Sequence, residues 1–259
     1  MRVKYKDTEV ATKKSFGQNF LLDANIPRKI VRQAELGNDD HVLEIGPGFG
    51  ALTRAISEVI PSFTAVELDK DLAAFIRREF PQVNLIEGDF LKVSLSELAG
   101  EHRLKVLGNI PYAITTPILF KLLDERAHVD SAVLMMQEEV ARRLTAAPKT
   151  KAYGILAVQL QAFCQIEYLF RISKAVFKPR PDVDSAVIKL VFKQNCGIEN
   201  AAYFRALVRR AFQMRRKTLT NNLKAEYQLE NIAFDFTRRA EELTVEEFVE
   251  LAKFLKAKA

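Results

Sequence analysis

Short apolar runs alternate with amphipathic stretches from about residue 40 onward, and this alternation constrains the fold more than any other feature of the chain. Residues 105–108 and 131–136 are apolar without a polar alternation, which is typical of strands that helices cover on both faces. The pattern predicts a parallel α/β sheet. The predicted strands are residues 41–45, 63–67, 84–86, 105–108, 131–136, 168–172 and 186–192. The predicted helices are residues 51–59, 70–79, 117–125, 138–146 and 154–164.

The character of the chain changes near residue 195. Residues 194–201 are typical of a linker, and residues 203–259 show only helical periodicity with no strand signal. At roughly 150 residues per domain, a chain of 259 residues has room for one full domain and a smaller one. We therefore expect an α/β domain at residues 1–194 and a small all-helical domain at residues 195–259.

Composition excludes several classes of protein. With 48% hydrophobic and 28% charged residues the chain can bury a core, and no apolar run approaches the roughly 18 residues that cross a bilayer. The first ten residues lack the apolar segment of a secretory signal. The two cysteines and three histidines have no metal-ligand spacing. We expect a cytoplasmic protein with no metal and no membrane association.

Basic residues cluster in two places, within a formal net charge of +6. The cluster in the C-terminal part contains no acid and comprises Arg205, Arg209, Arg210, Arg215, Arg216 and Lys217. The N-terminal cluster comprises Arg2, Lys4, Lys6, Lys13 and Lys14. At 100° per residue, Arg205, Arg209 and Arg216 share one helical face. The clusters suit a polyanionic partner, although charge alone leaves two solvated faces as an equal alternative.

A glycine-rich turn follows the first predicted strand in the sequence VLEIGPGFG at residues 42–50. Gly46 and Gly48 let the backbone approach a nucleotide closely, and their spacing is G-x-G-x-G rather than that of dinucleotide binding. Glu67 ends the next strand, where it could accept hydrogen bonds from ribose hydroxyls, and Asp89 follows the third, where it could hold an adenine amino group. The arrangement predicts an adenosine-containing cofactor; NAD and S-adenosylmethionine both satisfy it.

The sequence Asn109-Ile110-Pro111-Tyr112 follows the fourth strand and favours methyl transfer. An exocyclic adenine amine is a poor nucleophile, so a methylating site should accept hydrogen bonds from both of its N–H groups. The Asn109 side-chain oxygen and the Ile110 carbonyl could be those acceptors. Pro111 would fix the backbone, and Tyr112 would stack on an adenine extruded from its neighbours.

Motifs along nearly the whole chain resemble those of the ribosomal RNA adenine N6-dimethyltransferases, closest to the small-subunit (16S) type. The motifs that carry the resemblance are KKSFGQNFL at residues 13–21, residues 44–50, Glu67, Gly88-Asp89, Asn109–Tyr112, VFKPRPDVDS at residues 176–185, and Phe212, Arg215, Arg216, Lys217, Leu219, Asn221 and Leu223. Ala113 departs from the family, which often has a polar residue or a tyrosine there.

The resemblance implies a Rossmann-like class I S-adenosylmethionine-dependent methyltransferase. It would dimethylate two adjacent adenosines near the 3′ end of small-subunit rRNA, acting as a monomer on the ribosomal subunit or its precursor. The implied cofactor-binding residues are Asn19, Leu21, Gly46, Gly48, Glu67, Asp89 and Asn109. The implied catalytic residues are Asn109, Ile110, Pro111, Tyr112 and Phe177, with Phe177 stacking on the adenine face opposite Tyr112. The basic cluster at residues 205–217 would bind RNA.

Alternative functions are less consistent with the sequence. An RNA-binding assembly or transcription factor would not need Asn109, Tyr112, Glu67 and Asp89 together. An NAD-dependent oxidoreductase is disfavoured by the glycine spacing. Large-subunit adenine methyltransferases share the first domain, but the FKPRPDVDS loop and the RRKTL segment favour the small-subunit type. DNA adenine methylases usually carry Asp where this chain has Asn109.

Overall fold

The structure of the protein is a computed structural model that describes residues 2–5, 8–11 and 19–257. It divides into two compact units. The first comprises the residues up to Ala141 and Glu167–Phe192, and the second comprises Arg142–Ile166 and the chain from Lys193 onward. The chain thus passes into the second unit at Phe192, two residues before the predicted boundary. The sequence did not predict that residues 142–166 belong to the second unit, because a helical pattern looks the same in either unit.

A seven-stranded sheet forms the centre of the first unit. In chain order, the strands of this unit are β1 (Arg2–Tyr5), β2 (Thr8–Ala11), β3 (Phe20–Leu21), β4 (His41–Ile45), β5 (Thr64–Glu67), β6 (Asn84–Glu87), β7 (Leu104–Asn109), β8 (Val129–Gln137), β9 (Cys164–Ile172), β10 (Phe177–Lys178) and β11 (Ser185–Phe192). The first three residues of β9 belong to the second unit. The strand order of the sheet is β6-β5-β4-β7-β8-β11-β9. Outside the sheet, β1 pairs with β2 and β3 pairs with β10.

Helices alternate with the strands as predicted. They are α1 (Asn25–Ala34), α2 (Ala51–Ser57), α3 (Lys70–Glu79), α4 (Leu95–Ala99), α5 (Thr115–Asp124) and α6 (Glu138–Leu144), the last of which continues into the second unit. The seven predicted strands and five predicted helices are confirmed with shifted ends; the largest shift is at β9, which begins at Cys164 rather than at residue 168.

The strands β4 to β8 are parallel, which confirms the predicted α/β class. One strand departs from the all-parallel expectation, because β11 runs antiparallel to β8, with Ser185 opposite Gln137. Hydrophobic periodicity does not show the direction of a strand. The connection from β7 to β8 contains the helix α5, whereas the described residues between β9 and β11 contain no α-helix. The helix α1 was not predicted, although Ile30, Val31 and Ala34 have helical spacing and are buried.

The second unit contains α7 (Ile155–Phe163), α8 (Ala201–Ala211), α9 (Leu219–Leu223) and α10 (Val245–Phe254). Aromatic pairs hold these helices together: Phe163 meets Phe204 edge-on at 5.8 Å between ring centroids, and Phe212 stacks on Phe248 at 5.8 Å. The expected all-helical character needs one correction. The strands β12 (Tyr227–Gln228) and β13 (Lys256–Ala257) form an antiparallel pair too short to leave a sequence signal.

The helix α8 ends at Ala211, before the last three basic residues of the cluster. The buried Asn222 side chain organises the turn that follows: it donates to the carbonyls of Ala211 (2.8 Å) and Met214 (3.2 Å) and accepts from the Met214 N–H (3.1 Å). Arg216 therefore does not share a helical face with Arg205 and Arg209, which corrects that expectation. No helix in the described part of the chain is long and apolar enough to cross a membrane.

Candidate active site

A pocket opens at the carboxyl ends of β4, β5, β6 and β7, where ligands bind in open α/β sheets. It encloses about 1350 Å³ of empty space, a figure that includes its mouth open to solvent. Nearly all of the predicted site residues of the first unit line it: Asn19, Leu21, Gly46, Gly48, Glu67, Asp89, Asn109, Ile110, Pro111 and Tyr112. The motif residues 13–18 lie outside the described residues.

The glycine-rich turn forms the floor of the pocket in left-handed backbone conformations. Gly46 has φ 64° and Gly48 has φ 58°, both unfavourable for other residues. A Cβ on Gly46 would meet no atom within 4 Å and would project into empty space, whereas one on Gly48 would lie 3.3 Å from the Phe20 ring. The missing side chain at Gly46 therefore leaves room for a ligand against the backbone.

Glu67 ends β5 with its carboxylate held by two backbone N–H groups. One oxygen accepts from Gly48 (3.0 Å) and the other from Asp69 (2.9 Å). Only 6% of the residue is exposed, and burial raises the pKa of the carboxyl, although the two hydrogen bonds oppose that rise. The carboxylate is thus fixed in orientation while its remaining lone pairs can accept from a diol.

Asp89 follows β6 and begins a short 3-10 helix. One carboxylate oxygen accepts from the Leu91 N–H (3.0 Å), which is a helix-capping interaction. Among the described residues no hydrogen bond reaches the other oxygen, which is available to an amino group of a ligand. The sequence could locate Asp89 at a strand end but could not show which oxygen the cap occupies.

The tetrapeptide lies at the end of β7, with its first side chain oriented by the protein. The Asn109 amide nitrogen donates to the Asn19 carbonyl at 3.1 Å, so the amide oxygen is the end left to accept hydrogen bonds. The Ile110 N–H donates to the Met135 carbonyl at 3.1 Å. Pro111 is extended, with φ −60° and ψ 133°. Contacts within the protein therefore fix both the backbone of the tetrapeptide and the orientation of the Asn109 side chain.

Tyr112 begins a single 3-10 turn, and its hydroxyl is within 2.7 Å of the Ser185 hydroxyl. Burial is the largest cause of a raised pKa for Tyr112, and the nearby charge of Asp184 adds to it. Ser185 lies within the motif that the sequence singled out, but no role could be assigned to it, because its partner is 73 residues away.

Phe177 does not line the pocket. Its residue is 4% exposed and belongs to the hydrophobic core, on the short strand β10 where it lies opposite Leu21 of β3. The Phe177 ring was expected to face Tyr112 across a base. In the structure it lies next to the pocket but not in it. The surrounding core keeps it covered.

Two further kinds of lining residue were missed. Glu44 is 1% exposed, accepts from the Thr53 hydroxyl at 2.8 Å, and has a pKa raised to about 8, chiefly by burial. Pro27 and Ile30 come from α1, the unpredicted helix. Glu44 belongs to the motif at residues 44–50 that carries the family resemblance, but it was given no role; its place between Leu43 and Ile45 in a buried strand is the signal that could have revealed one.

The basic cluster of the second unit separates into engaged and free residues. Arg210 pairs with Glu226 at 3.3 Å, and Arg215 pairs with Glu241 at 3.1 Å and donates to two backbone carbonyls. Arg205 is half-buried. Within residues 19–255, no acidic side chain pairs with the remaining three, which are exposed: Arg209, Arg216 and Lys217. In the same part of the chain, no three His, Cys, Asp or Glu side chains form a metal-binding group.

Solved structures share this architecture. A crystal structure of a dimethyladenosine transferase from Plasmodium falciparum superposes with a TM-score of 0.77 at 25% identity, covering 89% of this chain and 95% of that one. The 23S rRNA methyltransferase ErmE gives a TM-score of 0.71 at 26% identity, covering 90% and 98%. Among relatives, the Ribosomal RNA small subunit methyltransferase A of Chlorobaculum parvum is 62% identical over 96% of this chain and 92% of its own length. That of Chlorobium phaeobacteroides strain BS1 is 59% identical over 98% of both.

The sheet order, the glycine turn and the acid at the end of β5 define a class I S-adenosylmethionine-dependent methyltransferase. The sequence profile of one family, Ribosomal RNA adenine dimethylase, matches residues 10–257. The chain belongs to that family, whose cofactor is S-adenosylmethionine. The pocket residues fit this cofactor, since a glycine cradle, a diol acceptor and an amine acceptor line one cavity.

Proposed function

We propose that this protein methylates the N6 amine of two adjacent adenosines near the 3′ end of small-subunit rRNA, giving N6,N6-dimethyladenosine during maturation of the small subunit. The choice of subunit is supported by relatives at 62% and 59% identity that carry the small-subunit name, against 26% for the 23S enzyme. The observation that carries the chemistry is the oriented amide of Asn109.

Asn109 and Ile110 would hold the target amine. The Asn19 carbonyl occupies the donor end of the Asn109 amide, so its oxygen can accept one N–H of the adenine amine. The Ile110 carbonyl, directed by the extended Pro111, would accept the other. Two acceptors draw the nitrogen lone pair out of the ring and make it nucleophilic. After one methylation a single N–H remains, which either acceptor can hold for the second transfer.

The cofactor would occupy the glycine cradle. Glu67 would accept from the ribose hydroxyls, and the free oxygen of Asp89 would accept from the adenine amine of the cofactor. Gly46 and Gly48 would bring the backbone into contact, with Asn19, Leu21 and Asn109 completing the site. When bound, S-adenosylmethionine supplies an electrophilic methyl group, and positioning then contributes much of the rate.

Tyr112 would stack on the extruded target base, a contact worth roughly 1–3 kcal/mol that offsets part of the cost of extrusion. Phe177 would stack on the opposite face, which requires its ring to become accessible from the core.

The second unit would bind RNA. Arg209, Arg216 and Lys217 are the exposed cations with no acidic partner in the described chain, so they are available to phosphates. Arg205, Arg210 and Arg215 belong to the same predicted RNA-binding cluster, but the side chains of Arg210 and Arg215 form ion pairs within the unit. The enzyme would act as a monomer, in the cytoplasm, on the small subunit or its precursor.

The test is methyl transfer from labelled cofactor to small subunits that lack the modification, followed by nucleoside analysis of the RNA. We expect dimethyladenosine in small-subunit RNA, with large subunits unlabelled. Asn109→Ala should fold and still bind subunits but lose most transfer. Asn84→Ala, on the exposed amino end of β6, is the matched control and should retain it.

Two results would refute the proposal. Label confined to large subunits would assign the enzyme to the other rRNA, and wild-type turnover by the Asn109 variant would remove the tetrapeptide from the chemistry. A product that stops at monomethyladenosine with cofactor in excess would contradict the dimethylation step.

A further inference from the structure

The hydrogen bond between Tyr112 and Ser185 connects the tetrapeptide to the start of β11. The two hydroxyl oxygens are 2.7 Å apart, and Ser185 is fully buried. The Tyr112 backbone belongs only to a one-turn 3-10 helix, so the position of its ring depends on what holds its far end. A hydroxyl anchor at the tip of the ring restricts both side-chain torsions at once.

Ser185 is itself held on a rigid support. It is the first residue of β11, paired opposite Gln137 of β8. The preceding Asp184 is fixed on both sides: its carboxylate accepts from the Lys174 N–H (2.8 Å) and from Arg171, and its carbonyl accepts from the Glu138 N–H (3.0 Å). The anchor therefore has little freedom to follow a moving tyrosine.

A purely structural role explains this arrangement less well. Ser185 is one of two buried serines on the β8–β11 strand pair, and the other, Ser131, lies opposite Val191 at the far end of that pair. Only the serine at the pocket end contacts a residue of the tetrapeptide. Both serines are buried, whereas the hydroxyl contact with Tyr112 exists at only one of the two.

We infer that Ser185 is a positioning residue for methyl transfer: its hydroxyl holds the Tyr112 ring in the orientation that receives the target base. The inference rests on the proposed function, because it assigns Ser185 a purpose only if Tyr112 contacts the adenine. Ser185 does not itself touch substrate or cofactor in this assignment.

A double-mutant cycle tests the inference, using Ser185→Ala, Tyr112→Phe and the combination, assayed on unmethylated small subunits. Each single change removes one partner of the same hydrogen bond and keeps the ring, so each should lower kcat/KM about three- to tenfold. The double variant should fall no further than either single one, because the interaction is already lost. Cofactor affinity measured by calorimetry should stay at the wild-type value. Ser131→Ala is the matched control and should keep wild-type kinetics.

The outcomes separate this inference from the proposed function. Additive losses in the double variant, or full activity of Tyr112→Phe, would overturn the role of Ser185. Tyr112→Phe decides the question even if Ser185→Ala folds poorly. Tyr112→Ala reports on the proposed function independently: if it is inactive while both hydroxyl variants are fully active, the function stands and the positioning role falls. If Tyr112→Ala keeps wild-type turnover, the proposed function itself fails.

Discussion

The buried acid Glu44 gives the sharpest test of the pocket's electrostatics, through the variant Glu44→Gln. The carboxyl is 1% exposed and accepts a 2.8 Å hydrogen bond from the Thr53 hydroxyl. A glutamine at this position has nearly the same shape, and its amide oxygen can accept the same bond. The substitution therefore changes the ability to ionise while it preserves packing and hydrogen bonding.

The magnitude follows from the pKa of Glu44, which burial raises from 4.5 to about 8. Between these values the unfolded chain releases the proton while the folded protein retains it, so stability falls as the pH rises through this window. Linkage gives a loss of about 2–3 kcal/mol between pH ~5.5 and pH ~7.5, and the loss levels off above the folded pKa. The glutamine variant does not have this loss.

Urea unfolding of wild type and variant without cofactor, at several pH values across this range, measures the difference. We expect Glu44→Gln to gain about 2–3 kcal/mol of stability relative to wild type as the pH rises. Glu58→Gln is the control: its exposed carboxylate pairs with Arg28, and the Arg28 guanidinium lowers the pKa of Glu58. That group is ionised in both states throughout the window, so its curve should run parallel to wild type. A Glu44→Gln curve that is also parallel would refute the raised pKa.

Three other changes test the remaining assignments. Glu67→Gln should weaken S-adenosylmethionine binding by about 1.5–3 kcal/mol, since it removes a charged acceptor for the ribose; unchanged affinity in calorimetry would refute that contact. Phe177→Leu keeps an apolar core residue but removes a stacking face, so kcat/KM on subunits should fall while cofactor affinity holds; unaltered transfer would leave Phe177 a core residue only. Reversing Arg209 and Arg216 to Glu should weaken subunit binding and flatten its salt dependence. By contrast, Arg210→Gln, which loses contacts with Glu226 and Gln213 inside the unit, should leave the salt slope intact. If the reversal variant binds subunits with the same salt slope as wild type, as the Arg210→Gln variant is expected to do, the cluster has only a structural role.

Much of the first unit could be predicted because local rules specify it. The glycine turn at residues 46–48 needs left-handed backbone angles, and the structure has them. The apolar runs predicted the strands of the sheet, and the strand ends predicted that Glu67, Asp89 and Asn109 lie at one edge. In the structure these three residues line a single pocket. These features depend on residues close together in the chain or on the general geometry of parallel sheets.

What only the tertiary structure decided concerns contacts between distant residues. The Asn109 amide is oriented by a carbonyl 90 residues away, and the Tyr112 ring is anchored by a serine 73 residues away. The side chain of Asn222 ends α8 before Arg216 and so removes a helical face that periodicity predicted. The sequence determined that Glu67, Asp89 and Asn109 reach the pocket, because strand ends and glycine turns are local. It could not determine which hydrogen bonds orient those groups or which cations stay free, because these depend on partners that only the folded chain brings within bonding distance.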